Sequence, residues 1–111
     1  MNYYTSSNSS KGTLNISDYV FDQIAQERLE KLASTELKDS ISLKLARGKK
    51  NVETTIDKNN IQVNVVFFSV RNSDIQKTVV LVQKEVYDAI YEATEISTIK
   101  VNVSVIGFVD L

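Results

Sequence analysis

The closing segment of the chain, residues 73–111, constrains the fold more than any other part of the sequence. Its first half carries apolar residues at spacings of three and four over about five helical turns, which is typical of an amphipathic helix. Its second half alternates apolar and polar residues, which is typical of a half-buried strand. The helix stripe consists of Ile75, Val79, Val82, Val86, Ile90 and Ala93, and the strand places Val101, Val103 and Val105 on one side. A long helix that leads directly into a strand indicates a mixed α and β class.

The start of this helix has a local signal of its own. Ser73 and Gln76 have the S-x-x-Q spacing of a capping box, in which two side chains satisfy two free backbone N–H groups. We therefore predict that Ser73 is the N-cap and that the helix extends from Asp74 to about Thr94.

A second helix and four further strands are predicted upstream. Ser17 stands where an N-cap belongs, with Asp18 favourably placed in the first helical turn. A polar turn at residues 58–60 separates two alternating runs and indicates a hairpin. The predicted strands are residues 13–16, 41–45, 52–57 and 61–70, and the helix is residues 18–33. The resulting order, β-α-β-β-β-α-β, favours an α+β two-layer sandwich with both helices on one face of a mostly antiparallel sheet.

The chain has 111 residues, enough for one domain with a buried core. Residues 1–10 are polar and low in complexity, so they bury too little apolar surface to offset the entropy of ordering. We expect a disordered tail over residues 1–10 and a single domain over residues 11–111.

The sequence contains neither Cys nor His. The missing Cys excludes disulfides, thiolate nucleophiles and thiolate metal sites. The missing His removes the commonest metal ligand and the side chain best suited to proton transfer near neutral pH. Acids and lysines occur, but no pair has a spacing that indicates acid–base chemistry. We therefore expect a non-enzymatic protein without a metal ion or cofactor.

The charge balance restricts the classes of partner. Thirteen basic and fourteen acidic residues give a net charge of −1, so the basic footprint of a nucleic-acid-binding protein is absent. No apolar run reaches the length of a membrane span, and the N-terminus has no hydrophobic signal region. These features predict a cytoplasmic protein.

Two segments resemble a known bacterial family. The opening segment, residues 12–25, reads GTLNISDYVFDQIA, and the closing strand, residues 101–107, reads VNVSVIG. Together with Gln83 and Thr94, they are similar to the alkaline shock protein family, which comprises envelope-stress and general-stress proteins of Gram-positive bacteria and their relatives. Glu95 departs from the family pattern, since members commonly have a Gly there.

The resemblance implies a non-enzymatic cytoplasmic stress-response protein that self-associates and docks onto a protein partner. Some members of the family are held at the inner face of the membrane by a separate anchor protein. Members are also encoded beside a fatty-acid kinase of the dihydroxyacetone-kinase type, which implies regulation of such a kinase as an alternative.

The outer side of the second helix carries a candidate contact strip. Val80, Lys84, Tyr87 and Tyr91 fall on one line more than about 90° from the apolar stripe. Aromatic residues with a polar tip favour protein interfaces. The alternative is that a tail, a loop or the neighbouring helix covers these side chains.

The sheet face opposite the helices is a second candidate. If odd-numbered residues of the strand 61–70 face the helices, Val66, Phe68 and Val70 face away, and Ile106 and Phe108 are expected to do likewise. A two-layer fold leaves that face uncovered, and an apolar patch there predicts self-association. The alternative is a bulge that turns some of these side chains inward.

Two charged features complete the candidates. Arg47, Lys49 and Lys50 form a basic loop that could bind phosphate, anionic lipid or RNA, but it lacks the P-loop spacing and has no aromatic residues for base stacking. A solvated turn is the alternative. Arg28 lies close to the centre of the first helix's apolar stripe, at a position where a family member commonly has a small residue. That stripe consists of Phe21, Ile24, Ala25, Leu29 and Leu32. Arg28 either extends its guanidinium to the edge of the layer, pairs with an acid such as Glu53 or Asp57, or contacts an anion.

Overall fold

The chain folds as a sheet of four strands covered on one face by two helices, preceded by a separate two-stranded hairpin. The computed structural model describes residues 2–8 and 12–110. The helices are α1, Asp18–Ser34, and α2, Ile75–Thr94. The strands are β1, Tyr3–Asn8; β2, Gly12–Ser17; β3, Ile41–Ser42; β4, Val52–Asp57; β5, Asn60–Val70; and β6, Ile99–Val109. The predicted α+β class, with two helices and a mostly antiparallel sheet, is confirmed.

Strand β5 is the centre of the sheet. Strand β6 runs parallel to it along one edge, from the pair Ile61 and Ile99 to the pair Val70 and Val109. Strands β3 and β4 are antiparallel to β5 and share its other edge. The parallel pairing follows from the connection, because α2 carries the chain back to the starting end of β5 before β6 begins.

The core lies between the sheet and the helices. Alternate side chains of β5 point into it, and Val63, Val65 and Phe67 are fully buried. The helices contribute Phe21, Ala25, Leu29, Leu32, Val82, Val86 and Ile90, which are also buried. Each such large apolar side chain contributes about 1.5–3 kcal/mol on transfer from water. The central part of each predicted stripe is thus confirmed as core, whereas at the ends of the α2 stripe Ile75 and Val79 are half-buried and Ala93 is exposed.

The N-terminal segment differs from the disordered tail expected for residues 1–10. Tyr3–Asn8 form β1, which pairs antiparallel with β2. The side-chain amide of Asn59 accepts from the Thr5 N–H at 3.1 Å and donates to the Thr5 carbonyl at 2.9 Å. Tyr4 and Ile16 pack against the core. Backbone pairing and one distant amide therefore order a segment whose own composition is polar. Residues 1, 9 and 10 lie outside the described part of the chain.

Of the two predicted helix N-caps, one is confirmed and one is wrong. Ser17 caps α1, since its hydroxyl accepts from the Val20 N–H at 3.4 Å. The cap of α2 is Asp74, whose carboxylate accepts from the Lys77 N–H at 3.1 Å, so the capping box at Ser73 is wrong. The Ser73 hydroxyl instead donates to the Val70 carbonyl at 2.6 Å. An Asp that directly follows a Ser competes with it for the same free N–H groups.

The predicted hairpin is confirmed between β4 and β5. Lys58 and Asn59 form its two-residue turn, with φ of 50° and 65°. Positive φ at both central positions is the geometry whose twist matches the flanking strands. Strand β3 is shorter than the predicted residues 41–45, because only Ile41 and Ser42 pair with β5.

Candidate functional site

The sheet face opposite the helices is polar at one end. Asn102 of β6 lies beside Asn64 of β5 and donates to its side-chain oxygen at 3.0 Å and to that of Gln62 at 3.3 Å. The side chains of β4 on this face, Glu53, Thr55 and Asp57, are exposed. At this end, the side-chain amides of Asn64 and Asn102 both donate within the face.

The other end of the same face is apolar. We call Val66, Phe68, Ile106 and Val109 the open-face patch. Ile106 is 49% exposed, and the other three are half-buried. Val70, which was also expected to contribute to this surface, is buried and does not. Neither helix packs on this side of the sheet within the described residues, because both lie against the opposite face. An uncovered apolar surface of this kind is typical of a contact site.

A β-bulge in β6 separates Ile106 from Phe108. Phe67 pairs with Val105 but Ser69 pairs with Phe108, so β6 has one residue more than β5 over this stretch. Paired residues share a face, and Ser69 is fully buried on the helix side. Phe108, 50% exposed, therefore lies on the helix side, and the expectation that it shares a face with Ile106 is wrong. The bulge was the alternative considered for this strand.

Glycine leaves room for Phe68 at the bulge. A Cβ built on Gly107 would lie 3.0 Å from a ring carbon of Phe68, so the ring would have to shift by a few tenths of an ångström to admit it. The side chain of Phe68 thus lies over the backbone of Gly107.

The strip on α2 divides into exposed and anchored residues. Val80 is 63% exposed and Tyr91 48% exposed. Tyr87 is half-buried and its hydroxyl donates to the Ser97 carbonyl at 2.8 Å, so the loop after α2 covers part of it. Lys84 is exposed and pairs with Asp88 at 2.8 Å, a contact that raises the pKa of Lys84. Val80 and Tyr91 remain available for contact.

This strip lies beside β6. Val80, Lys84 and Tyr87 line a groove together with Ile99, Lys100 and Val101. At the groove, the Gln83 amide donates to the Val101 carbonyl at 2.9 Å. The strip and the open-face patch, which the sequence presented as two separate surfaces, therefore flank the two sides of one strand.

The outer edge of β6 has no strand beside it within the described part of the chain. The N–H and C=O of one residue point to the same edge of a strand. Because Gln83 of α2 donates to the Val101 carbonyl, the backbone groups of Val101 point away from β5. By alternation, Val103 and Val105 also direct their backbone groups outward. Unpaired backbone groups on an edge strand are a template for pairing with another chain. Sequence analysis did not identify this edge, because strand order is not visible in one sequence.

The basic loop faces its own helix. Lys49 and Lys50 line a cleft of about 400 Å³ with Asp22 and Glu27 of α1. Lys50 is close enough to lower the pKa of the Asp22 carboxyl, although burial, which raises this pKa, is the larger effect. Arg47, like both lysines, is exposed. Acidic side chains next to these lysines reduce their attraction for anions, which favours the solvated turn over a phosphate or RNA site.

Asp22 contacts the outer edge of β4. Its carboxylate accepts from the Thr54 N–H at 2.7 Å, a backbone group that points away from β5. Burial raises the pKa of the Asp22 carboxyl and Asp18 adds to this, whereas Thr54 and Lys50 lower it. Each outer edge of the sheet thus has one hydrogen bond to a helix side chain, Asp22 at β4 and Gln83 at β6.

Arg28 bridges the two helices. Its guanidinium lies 3.1 Å from Glu85 and 3.1 Å from Glu92, both on α2, and the Arg28 side chain is 22% exposed. The partner is therefore an acid of the neighbouring helix, and neither Glu53 nor Asp57 is involved. The ion pairs hold α1 and α2 together at the edge of the layer, which makes Arg28 structural.

Across residues 2–8 and 12–110, no three acidic side chains cluster closely enough to hold a metal ion. In the same ranges, no helix has both the length and the apolar character needed to cross a membrane.

Comparisons of this chain with protein-family models, with curated proteins and with solved structures gave no match. The resemblance to the alkaline shock protein family therefore depends on the residues that carry it. Of these, Gln83 contacts the edge of β6, Asn102 forms the amide cluster, and Gly107 lies at the bulge. All three residues belong to β6 or contact it, and both candidate surfaces border this strand.

Proposed function

We propose that this chain is a non-catalytic stress-response protein of the alkaline shock type, which acts by self-association and by docking onto a protein partner. The observation that carries the proposal is the open-face patch. Its apolar side chains are grouped at one end of a sheet face that neither helix of the described residues covers. Such a patch gains free energy when a second protein surface removes it from water.

The surrounding surface supports a protein partner. The patch borders a polar, hydrogen-bonded end of the same face, which resembles the apolar centre and polar rim of protein interfaces. The exposed Tyr91 and Val80 extend apolar contact to the other side of β6. Location in the cytoplasm, at the inner face of the membrane through an anchor protein, belongs to the same proposal.

The alternatives have less support. An anion- or RNA-binding function would use the basic loop, whose lysines lie beside Asp22 and Glu27. A fatty-acid kinase is the alternative to an anchor protein as the docking partner.

The test is the molecular mass in solution, measured by sedimentation velocity over a wide range of protein concentration. We expect the wild-type chain to form an oligomer whose population rises with concentration. Ile106→Asp should shift it towards the monomer, because a carboxylate in the contact loses its hydration. Phe68→Asp should act in the same direction.

The matched control is Thr55→Asp, which places the same carboxylate on the same face but at its polar end. This variant should associate as the wild type does. Circular dichroism of all variants should be unchanged, which separates loss of association from loss of fold. A wild-type monomer at every concentration would refute self-association, and equal effects of Ile106→Asp and Thr55→Asp would exclude the open-face patch as its site.

A further inference from the structure

We propose that the cleft between α1 and the basic loop binds a small zwitterion, which is a molecule with one ammonium and one carboxylate, such as a free amino acid or a short peptide. The cleft has a volume of about 400 Å³, within the range of about 300–1,000 Å³ that is typical of small-molecule sites. This inference does not rest on the proposed self-association. The cleft borders α1 and β4, whereas the open-face patch belongs to β5 and β6.

One wall of the cleft is a single face of α1. The residues that line it fall at positions i, i+3, i+4, i+7 and i+8, which lie on the same side of a helix. They are Tyr19, Asp22, Gln23, Gln26 and Glu27. Two of these five side chains are carboxylates, so this wall attracts a cationic group.

The facing wall is the end of the basic loop, where Lys49 and Lys50 supply two ammonium groups. Across residues 2–8 and 12–110, no ion pair joins either lysine to Asp22 or Glu27. Lys50 is nevertheless close enough to lower the pKa of the Asp22 carboxyl. The opposite charges therefore face the same space without direct contact between them, which leaves room for a ligand that pairs with both.

The floor of the cleft is held in place by the sheet. Asn51 is 8% exposed, and its side-chain amide donates to the Val66 carbonyl at 3.1 Å and accepts from Gln26 at 3.4 Å. The Asn51 carbonyl accepts from the Val66 N–H, so the next residue, Val52, directs its own N–H and C=O away from β5. Val52 also lines the cleft, where an amide group of a ligand can pair with this backbone.

Asp22 is oriented to receive an ammonium group. The Thr54 N–H donates to its Oδ1 at 2.7 Å, which fixes the carboxylate and leaves Oδ2 to accept from a ligand. Burial raises the pKa of this carboxyl, because it removes part of the hydration of the charged form. A ligand ammonium would replace that hydration with a charge-assisted hydrogen bond.

The charge pattern selects the class of ligand. An anion that approaches Lys49 and Lys50 also meets the field of Asp22 and Glu27, and a cation at the carboxylates meets the field of the lysines. A molecule with both charges is attracted by each wall. The aromatic ring of Tyr19 adds apolar contact for a hydrophobic ligand side chain.

The test is a titration of the full chain followed by amide chemical shifts, with two probes. Leucine represents a free amino acid, and the tripeptide alanyl-leucyl-alanine represents a peptide with free ends. We expect saturable shifts confined to residues 19–27 and 49–54 with at least one probe, and the tighter of the two identifies the source. No saturable shift with either probe up to about 10 mM, a concentration that fills even a weak specific site, would overturn the inference.

A variant of Asp22 tests the ammonium contact. Asp22→Asn removes the charge but keeps an acceptor for the Thr54 N–H, so the fold is retained. We expect the probe that binds to lose affinity about tenfold or more. The matched control is Glu53→Gln, which makes the same change on the other face of β4 and should bind as the wild type does.

The same probe with its amine acetylated completes the experiment. It has no ammonium, so it should bind the wild type about tenfold or more weakly and lose nothing further with Asp22→Asn. Equal losses for Asp22→Asn and Glu53→Gln, or full affinity of the acetylated probe, would show that Asp22 does not bind an ammonium and would overturn the inference. Sedimentation of Asp22→Asn should match that of the wild type, so failure at the cleft leaves the proposed self-association intact.

Discussion

Phe67 and Phe68 are neighbours in the sequence but belong to different surfaces. Phe67 is fully buried among the helices, whereas Phe68 is half-buried on the open face, over Gly107. The two outer edges of the sheet are alike by comparison, since each has one hydrogen bond to a helix side chain, Asp22 at β4 and Gln83 at β6. The two faces therefore differ more than the two edges, because the helices bury one face and the other keeps exposed apolar side chains.

The largest expected effect concerns the two phenylalanines. Phe67→Ala should lower the free energy of unfolding by about 3–5 kcal/mol, because it opens a cavity in a close-packed core. Phe68→Ala should cost about 1 kcal/mol, since roughly half of its transfer free energy is realised in the monomer. Urea unfolding followed by circular dichroism at low protein concentration measures both.

Equal losses for the two variants would contradict the distinction between the faces. Sedimentation velocity provides the complementary measurement, in which Phe68→Ala is expected to weaken association although it is the milder change for folding.

The next effect concerns the contact of Asp22 with the edge of β4. Asp22→Ala leaves the Thr54 N–H without its partner and should cost about 1–3 kcal/mol. Asp22→Asn keeps an acceptor and should be at least as stable as the wild type at neutral pH. The reason is that burial raises the pKa of Asp22, which means that the folded state disfavours the ionised carboxylate.

The pH dependence has a defined sign. A raised pKa in the folded state costs stability above that pKa, and the cost disappears as the pH falls to the unfolded value of 3.8 and below. The advantage of Asp22→Asn should therefore shrink as the pH is lowered towards 4. An advantage that instead grows in acid would show that the hydrogen bond from Thr54 outweighs burial. Gln83→Ala, which removes the contact with the edge of β6, should lower the free energy of unfolding by less than Asp22→Ala does, because Gln83 is exposed.

The smallest expected effect is a gain in stability from a substitution at the end of α2. Glu95 ends α2 with φ of 60°, a left-handed conformation that glycine adopts without steric cost. Glu95→Gly should raise the free energy of unfolding by about 0.5–1 kcal/mol. Association should not change, since Glu95 lies on neither candidate surface. A shift in the urea midpoint without a change in slope is the expected result, and destabilisation would indicate that the Glu95 side chain has a role of its own.

Much of this fold could be predicted from the sequence, because its signals are local. Apolar spacing of three and four marked both helices, and alternation marked β4, β5 and β6. The predicted polar turn between β4 and β5 adopts the positive φ that asparagine tolerates. The prediction was wrong where two local signals compete, as at Ser73 and Asp74.

The candidate site could be predicted only in part. Val80, Tyr91 and Ile106 are exposed as expected, since each lies outside an apolar stripe or alternates away from the core. The position of Phe108 was wrong, because a single extra residue in β6 exchanges the faces and no composition reveals it.

The periodicity of apolar residues determines the helices and strands and which face of each is apolar, because those properties depend on neighbours a few residues apart. Strand order, the bulge and the partners of Arg28 and Thr5 depend on residues far apart in sequence and are decided only by the tertiary structure. Tertiary structure also places α2 beside the free edge of β6 and thereby brings two separately predicted surfaces to one strand.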